Sequence, residues 1–569
     1  MGKRGWILAV TWLIAACVLA SDVGAFPTSR TVTWARPSQA LAPTGTLTVA
    51  PASALDPALV GEQVYLYPQP LVRGDRVTLD VLPRLPQPEI EAVKVRLDLP
   101  SGHTVTAPVQ PQGFDRVARA RFYWVWDTTG LSGVQTITLT LELPPAVEDL
   151  DPHNNTLRLS LILHPEERLG PPEPQARWAF TRTSAFRLHY LTGSASARDL
   201  SEVLVAAEEA HADVRAQLSL SSTSPTDIYV LDRVVGQGGY AASDWVAISY
   251  VDRAYAPTRL DLLLRHELVH RYDRVLGCVE APTLLREGLA VMVAGGHYRP
   301  TSLPRRAALL LDTPRYVPLA RLAEDFYRHQ HEVGYLEAGA LVVYVYEALG
   351  WEGVETLCRA ATEAEGSAAA RLSTAFHALG WGTLATVEQR WLRWLGALHP
   401  TALEARALEA EIRYLEAMRA YQVRYDRVAN FRVGVLFDPA VAETHGIVAD
   451  FARSPDTPEA IALELLLQRV KETLYRHQPE RATALLQAVE EALERPPPWE
   501  GAPQEVLSIV KATLSRGYEP YRVIEKPEQR GWFVYALDRR AWPTQRLLWA
   551  AQDEAGRWIV TGPQGGGER

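Results

Sequence analysis

The chain has 569 residues, a formal net charge of −9, a hydrophobic fraction of 47% and a charged fraction of 22%. This length exceeds what one hydrophobic core supports, so several domains are expected. The charge is mild and no stretch is rich in Lys and Arg, which excludes nucleic acid as an expected partner.

The N-terminus, MGKRGWILAVTWLIAACVLASDVGAF, has the order of a secretory signal over residues 1–25. Lys3 and Arg4 precede a short apolar run, and small residues up to Ala25 suit a cleavage site. A lipoprotein signal with a lipidated Cys17 and an uncleaved membrane anchor are the two alternatives. All three place the body of the chain outside the cytoplasm, either secreted or attached to the cell surface.

A β-sandwich is predicted for residues 60–165, after a Pro- and Ala-rich tether at 26–59. Apolar residues alternate with polar ones at 76–82, 93–99 and 156–163. This period is typical of antiparallel strands with one buried and one wet face.

The stretch WDTTGLSGVQTITLTLELPPAVEDLDPHNNTLRLSL resembles the second half of a CARDB-type immunoglobulin-like domain of bacterial surface proteins. Trp126, Gly133, Asn154 and Asn155 are the matching positions. The resemblance implies a spacer or adhesion module without chemistry, through which the chain would meet cell-surface partners.

The rest of the chain is predicted to form three further regions. After a Pro-rich linker, strands at 186–193 and 226–232 flank a helix at 197–218, which indicates an α+β domain over 178–396. Residues 400–495 are helical. Residues 503–569 form a small α+β domain that ends in three strands and has a faint similarity to NTF2-type domains.

A helix predicted for 256–277, APTRLDLLLRHELVHRYDRVLG, carries His266, Glu267 and His270. At about 100° per residue, the two histidines lie on one face, which suits two imidazole ligands of one Zn²⁺. Glu267, at the edge of that face, can reach a water at the metal without ligating the metal. The alternative is two surface histidines that are one turn apart by chance.

A catalytic zinc needs a third protein ligand and one open position. Glu287, in APTLLREGLAVMVAGG, is the best candidate because an apolar run follows it, as expected of an inward-facing carboxylate. Glu280 and His297 remain alternatives. A metzincin is excluded, since it would need glycine and histidine where the chain has Asp273 and Leu276.

Together, LLLRHELVHRYD and PTLLREGLAV resemble the peptidase MA-like family of gluzincin metallopeptidases, with similarity over about 180–395. The resemblance implies a zincin-type α+β fold, a peptide or protein substrate and one zinc ion. It assigns His266, His270 and Glu287 as ligands and Glu267 as the catalytic residue.

The same resemblance implies two further parts of the cleft. The strand that bears Trp245, Ala247 and Ser249 would be an edge strand that pairs with the substrate backbone, with burial in the sheet core as the alternative. Tyr335, in EVGYLEAGALVVYVYEALG, would donate to the oxyanion, with Tyr298 or His297 as alternatives.

Asp273 lies three residues after His270, on the same helical face. Its carboxylate is positioned to accept a hydrogen bond from the imidazole. A salt bridge to Arg274 or Arg286 is the alternative. Better-known gluzincins carry an aspartate where this chain has Val291, so the surroundings of the ligands differ here.

Two functional hypotheses follow. The first is an extracytoplasmic zinc metallopeptidase. An endopeptidase is favoured because GQGGYA lacks the acidic residue with which an aminopeptidase holds a free amino terminus. The alternative is a cell-surface adhesion or scaffold protein with an inactive or metal-stabilised peptidase-like domain. Cys278 and Cys358 either form a disulfide or remain two buried thiols.

Overall fold

The computed structural model of the chain describes most of residues 57–562. The gaps in this description are 60–63, 86–91, 113–116, 221–224, 430–437, 495–502, 527–530, 539–543 and some shorter ones. The predicted signal, Cys17 and most of the tether lie outside the described residues. In the part described, no helix combines the length and apolar character needed to cross a membrane.

The strands are β1 (Val64–Tyr67), β2 (Arg76–Val81), β3 (Lys94–Asp98), β4 (Thr104–Pro108), β5 (Gln110–Gln112), β6 (Val117–Val125), β7 (Gly133–Glu142), β8 (Thr156–Leu163), β9 (Trp178–Arg182), β10 (Phe186–Leu191), β11 (Thr226–Leu231), β12 (Gly239–Ala241), β13 (Trp245–Ser249), β14 (Tyr518–Lys526), β15 (Gly531–Asp538), β16 (Thr544–Gln552) and β17 (Trp558–Thr561). The helices are α1 (Ala195–Arg198), α2 (Leu200–Gln217), α3 (Leu260–Arg271), α4 (Thr283–Ala294), α5 (Leu303–Ala308), α6 (Leu319–Glu324), α7 (His331–Glu363), α8 (Ala368–Ala378), α9 (Leu384–Gly396), α10 (Ala402–Arg424), α11 (Pro439–Thr444), α12 (Ala449–Ala452), α13 (Pro458–Tyr475), α14 (Pro479–Glu494) and α15 (Gln504–Ser515).

Strands β1 to β8 form a sandwich of two four-stranded antiparallel sheets, with orders β1-β2-β6-β5 and β4-β3-β7-β8. The alternating segments at 76–82, 93–99 and 156–163 are β2, β3 and β8. Their inward residues, such as Leu79 and Leu97, meet Trp124 and Ile137 in one apolar core. Burial of these alternate side chains is what holds the two sheets together.

A second, five-stranded sheet has the order β12-β13-β11-β10-β9. Strands β10, β11 and β13 are parallel, and β9 and β12 run antiparallel at the two edges. One face of the sheet, through residues such as Ile228 and Val246, packs on Val203 of α2 and Leu264 of α3. This packing fixes α3 beneath the β12 edge.

The opposite face of this sheet is covered by the sandwich together with α11 and α12. Arg453, just after α12, binds Asp75 of the sandwich at 2.8 Å and also pairs with Glu173 of the linker. A shared apolar core unites Tyr65, Tyr67, Leu191, Tyr229, Leu231, Tyr240, Ala247, Ala442, Ile447 and Phe451. The sandwich is therefore docked on the second sheet.

The helical region packs against the same domain. Residues of α10, α13 and α14 share a core with Tyr255 and Tyr298. At the C-terminal end, α15 covers the sheet β14-β15-β16-β17, in which β15 to β17 are the three strands predicted from the sequence. The similarity to NTF2-type domains remains a prediction.

The helix predicted over 256–277 is too long at both ends, since α3 spans Leu260–Arg271. After α3 the chain forms turns in which the Cys278 amide donates to the Asp273 carbonyl oxygen. Gly277 adopts a φ of +73°, a conformation that ends helices and suits glycine. Cys278 then pairs with Cys358 in a disulfide, which resolves the two alternatives for the cysteines.

Candidate metal centre

Two neighbouring helices supply the predicted ligands. Helix α3 carries His266, Glu267 and His270, and α4 carries Glu287. A Cβ added to Gly288 would lie 2.5 Å from the carbonyl oxygen of Ala338 on α7. Only glycine permits this close approach, so the residue after Glu287 lets α7 close over the centre.

Three ligand atoms form a nearly equilateral triangle. The Nε2 atoms of His266 and His270 are 3.3 Å apart, and Oε2 of Glu287 lies 3.2 Å from the first and 3.4 Å from the second. Among the described residues, these three side chains form the group of histidine and acidic residues able to hold a metal ion.

The triangle fits a tetrahedral zinc. With bonds of about 2.0–2.1 Å to nitrogen and oxygen, the ligand atoms of a regular tetrahedron are separated by roughly 3.3 Å. All three observed separations match this value. Two histidines and one carboxylate also leave the fourth position open, as catalytic zinc sites do.

The side chains of this centre stabilise one another's charged forms. Burial alone would raise the pKa of Glu287, but His270 and His266 outweigh it and hold that pKa well below its ordinary value. Burial alone would lower the pKa of His270, but Glu287 and Asp273 raise it well above its ordinary value. The centre therefore strongly favours an ionised carboxylate facing positive charge.

Glu267 lies beside the triangle without being part of it. Its side chain is buried, and burial raises the pKa of its carboxyl, an effect that His266 and His270 partly offset. The strand β12 lies directly over it: a Cβ added to Gly239 would be 2.7 Å from Cγ of Glu267. Glu267 is thus confined between α3 and β12, beside the ligand triangle.

Tyr327 holds the other oxygen of the Glu287 carboxylate. Its hydroxyl donates to Oε1 at 2.6 Å, while Oε2 faces the two histidines. Sequence reasoning missed Tyr327, because it lies in a short 3₁₀ turn 40 residues after Glu287 with no repeating spacing. Its contact depends on tertiary packing alone.

Asp273 forms the salt bridge to Arg286 that was the predicted alternative, and it lies near His270 without a hydrogen bond to that ring. Its Oδ2 accepts from Nε of Arg286 at 2.8 Å and lies 3.4 Å from Nδ1 of His270. A carboxylate behind a ligating histidine orients the ring for the metal.

The structure also locates the alternative residues. The Tyr335 ring lies 6.0 Å from that of His266 and stacks face to face on His297, with centroids 4.1 Å apart. His297 and Glu280 are outside the ligand triangle; Nδ1 of His297 faces Glu332, and Glu280 is exposed. These two alternatives for the third ligand are therefore not supported by the geometry.

The predicted edge strand requires correction. Strand β13 is covered by β12, which pairs with it from Val246 to Ile248. The side chains of Trp245 and Ala247 point to the face shared with the sandwich, and the Ser249 hydroxyl donates to the Asp232 carbonyl oxygen. The edge strand beside Glu267 is therefore β12, and sheet alternation turns the predicted residues of β13 away from the centre.

Comparisons with known proteins find distant structural neighbours. The chain is similar to an M1 zinc metallopeptidase from Deinococcus radiodurans (14% identity, 58% of this chain and 92% of that one, TM-score 0.27). It is similar to an aminopeptidase N family protein from Idiomarina loihiensis (10% identity, 87% and 97%, TM-score 0.21). A CARDB domain from Pyrococcus furiosus, solved with di-metal ions, covers 21% of this chain and 100% of its own at 18% identity and a TM-score of 0.15.

No family model and no curated protein matches the chain. The function below is therefore argued from the geometry of the centre.

Proposed function

We propose that the chain is an extracytoplasmic zinc-dependent endopeptidase. The observation that carries this proposal is the triangle of His266, His270 and Glu287, with Glu267 beside it but not in it. A bound zinc ion would polarise the scissile carbonyl and acidify a water molecule. The fit of the three ligand atoms to a tetrahedron supports that ion over a purely structural cluster.

The residues of the chain have distinct tasks in this proposal. Glu267 takes a proton from the attacking water and passes it to the leaving amine; burial raises the pKa of its carboxyl, which favours uptake of a proton. Tyr335, whose hydroxyl has no hydrogen-bond partner among the described residues, donates to the carbonyl oxygen as negative charge develops. Tyr327 and Asp273 keep Glu287 and His270 in place.

Endopeptidase action is supported by the carboxylates near the centre. An aminopeptidase needs an acidic group for the α-ammonium of its substrate. Asp273 is paired with Arg286, and Glu332 with His297 and Arg306. Each of these two carboxylates therefore already has a positively charged partner within the chain.

The extracytoplasmic location is supported by the Cys278–Cys358 disulfide. Such bonds persist in oxidising compartments outside the cytoplasm. The location agrees with the secretory signal predicted at residues 1–25.

The proposal is tested first by metal exchange. We expect the chain to bind one zinc ion, to lose peptide cleavage on removal of that ion by a chelator, and to regain cleavage on addition of zinc. His270→Ala and Glu287→Ala should lose zinc, while Glu280→Ala, a matched change of an exposed carboxylate, should retain it. Zinc binding that survives both ligand substitutions would contradict the assignment.

A further inference from the structure

His297 occupies a defined place beside the metal centre. Its ring lies 6.3 Å from that of His266 and is parallel to the Tyr335 ring within 3°. Only 9% of the residue is exposed. The proposed mechanism assigns no role to His297. A polar ring at this position is nevertheless costly to bury unless both of its nitrogens form hydrogen bonds.

A network of four charges fixes this ring. Nδ1 of His297 is 2.7 Å from Oε2 of Glu332, whose other oxygen accepts from Arg306 at 2.6 Å. Arg306 also donates to Glu411 of α10 at 2.8 Å, and Arg299 pairs with the same carboxylate. The C-terminal helical region thus helps to orient a ring in the catalytic domain.

The charges of this network identify the protonated nitrogen. Two guanidinium groups and two carboxylates balance, so no net negative charge remains to hold His297 as a cation. A neutral ring that donates from Nδ1 to a carboxylate has a lone pair on Nε2, which makes Nε2 a hydrogen-bond acceptor.

Among the described residues, the hydrogen bond of the His297 ring is the one between Nδ1 and Glu332, and no bond to Nε2 is found. Nε2 points away from Glu332 because the two ring nitrogens face different directions. Nε2 is not positioned as a zinc ligand, since His297 is outside the ligand triangle. A peptide bound at the open side of the metal centre, as proposed above, would supply the donor that Nε2 lacks: the N–H of a backbone amide.

We propose that Nε2 of His297 accepts a hydrogen bond from the backbone N–H of a peptide bond next to the scissile bond of a bound peptide. This proposal rests on the proposed function and deepens it by naming a substrate requirement. Peptides with proline or an N-alkylated residue at that position lack the N–H and are bound more weakly. The residue thereby determines specificity without touching the metal.

The test compares three alanine-based phosphinic pseudopeptides, in which a phosphinate replaces the scissile amide. The first keeps every other amide, and in each of the other two an ester oxygen replaces the N–H of the peptide bond next to the phosphinate, on one side or the other. Binding to the zinc-loaded full chain is measured by calorimetry, which requires no turnover. We expect the parent to bind the amide probe about three- to tenfold more tightly than the ester on one side, as for one hydrogen bond in a partly dry site.

Two variants separate acceptor chemistry from packing. His297→Leu, which removes the acceptor, should bind all three probes equally, and His297→Gln, whose side-chain oxygen accepts, should keep part of the preference. Both should retain zinc. Equal binding of the probes by the parent, an unchanged preference in His297→Leu, or zinc loss in both variants would overturn the inference while leaving the peptidase proposal intact. Failure of the zinc-loaded parent to bind any phosphinic probe would contradict the proposed function as well.

Discussion

Tyr327 decides which oxygen of Glu287 faces the histidines. A carboxylate can rotate to offer either oxygen or both, and the hydroxyl on Oε1 removes that freedom. Partners of this kind behind a metal ligand typically contribute 10- to 100-fold in metal affinity.

We therefore expect Tyr327→Phe to weaken zinc binding by about tenfold or more, because Glu287 is no longer held with Oε2 towards the metal. Competition with a chromophoric chelator measures the affinity. Tyr316→Phe is the matched control, since that hydroxyl binds Glu388 outside the centre. Equal zinc affinity in the parent and Tyr327→Phe would show that Glu287 is oriented by other contacts.

Gly239 gives a second prediction at this scale. A Cβ there would be 2.7 Å from Cγ and 2.9 Å from Oε1 of Glu267, closer than side chains approach one another. Gly239→Ala should displace Glu267 and reduce cleavage by about tenfold or more, while zinc binding stays intact because no ligand moves. Gly396→Ala, at a position with open space, is the control. Full activity in Gly239→Ala would mean that Glu267 is not confined as described.

At the scale of elements, local patterns and tertiary contacts differ in what they reveal. Alternation predicted β2, β3 and β8, and the spacing of His266 and His270 placed both on one helical face, because these signals lie within a few residues. Other features depend on segments that are far apart in the chain, and no local periodicity predicts them. These are the pairing of β12 with β13, the contact of Tyr327 with Glu287 and the network behind His297.

The disulfide ties the turn between the two ligand helices to α7. Cys278 and Cys358 are 80 residues apart in sequence. Closing a loop of that size restricts the unfolded chain and contributes about 4 kcal/mol in the chain-entropy account. The double variant Cys278→Ala, Cys358→Ala should therefore have a clearly lower melting temperature, measured by calorimetry with equal zinc loading. An unchanged melting temperature would show that packing alone secures this turn.

At the scale of the whole molecule, the sandwich and the five-stranded sheet are joined through a buried polar interface. Asp450 of α12 is fully buried. Burial raises the pKa of its carboxyl to about 8, and Thr78, Arg453 and Arg121 offset this only in part, while Asp75 adds to it. Ionising Asp450 within the folded chain is therefore unfavourable.

This raised pKa makes stability depend on pH. Below the ordinary aspartate pKa the group is protonated in both the folded and the unfolded state, so no penalty exists. Between about pH 4 and pH 8 the unfolded state releases a proton that the folded state keeps, so the free energy of unfolding falls as pH rises. Asp450→Asn should remove this dependence. The melting temperature of Asp450→Asn should exceed that of the parent by an amount that grows from pH 5 to pH 8. Asp312→Asn, at an exposed position, is the control and should melt at the same temperature as the parent throughout. A difference between Asp450→Asn and the parent that does not change with pH would contradict the raised pKa of Asp450.

The central claim is that Glu267 performs chemistry at a zinc ion held by its neighbours. The most direct measurement is cleavage of a diverse peptide mixture, read by mass spectrometry, with zinc-loaded parent and zinc-loaded Glu267→Gln at equal metal content. The account predicts internal cuts by the parent and a loss of at least a thousandfold in rate, on the order expected for a missing general base, in the variant. Equal cleavage by both would contradict the role of Glu267. If neither protein cleaves peptides although both hold zinc, a metal-stabilised scaffold would be favoured instead.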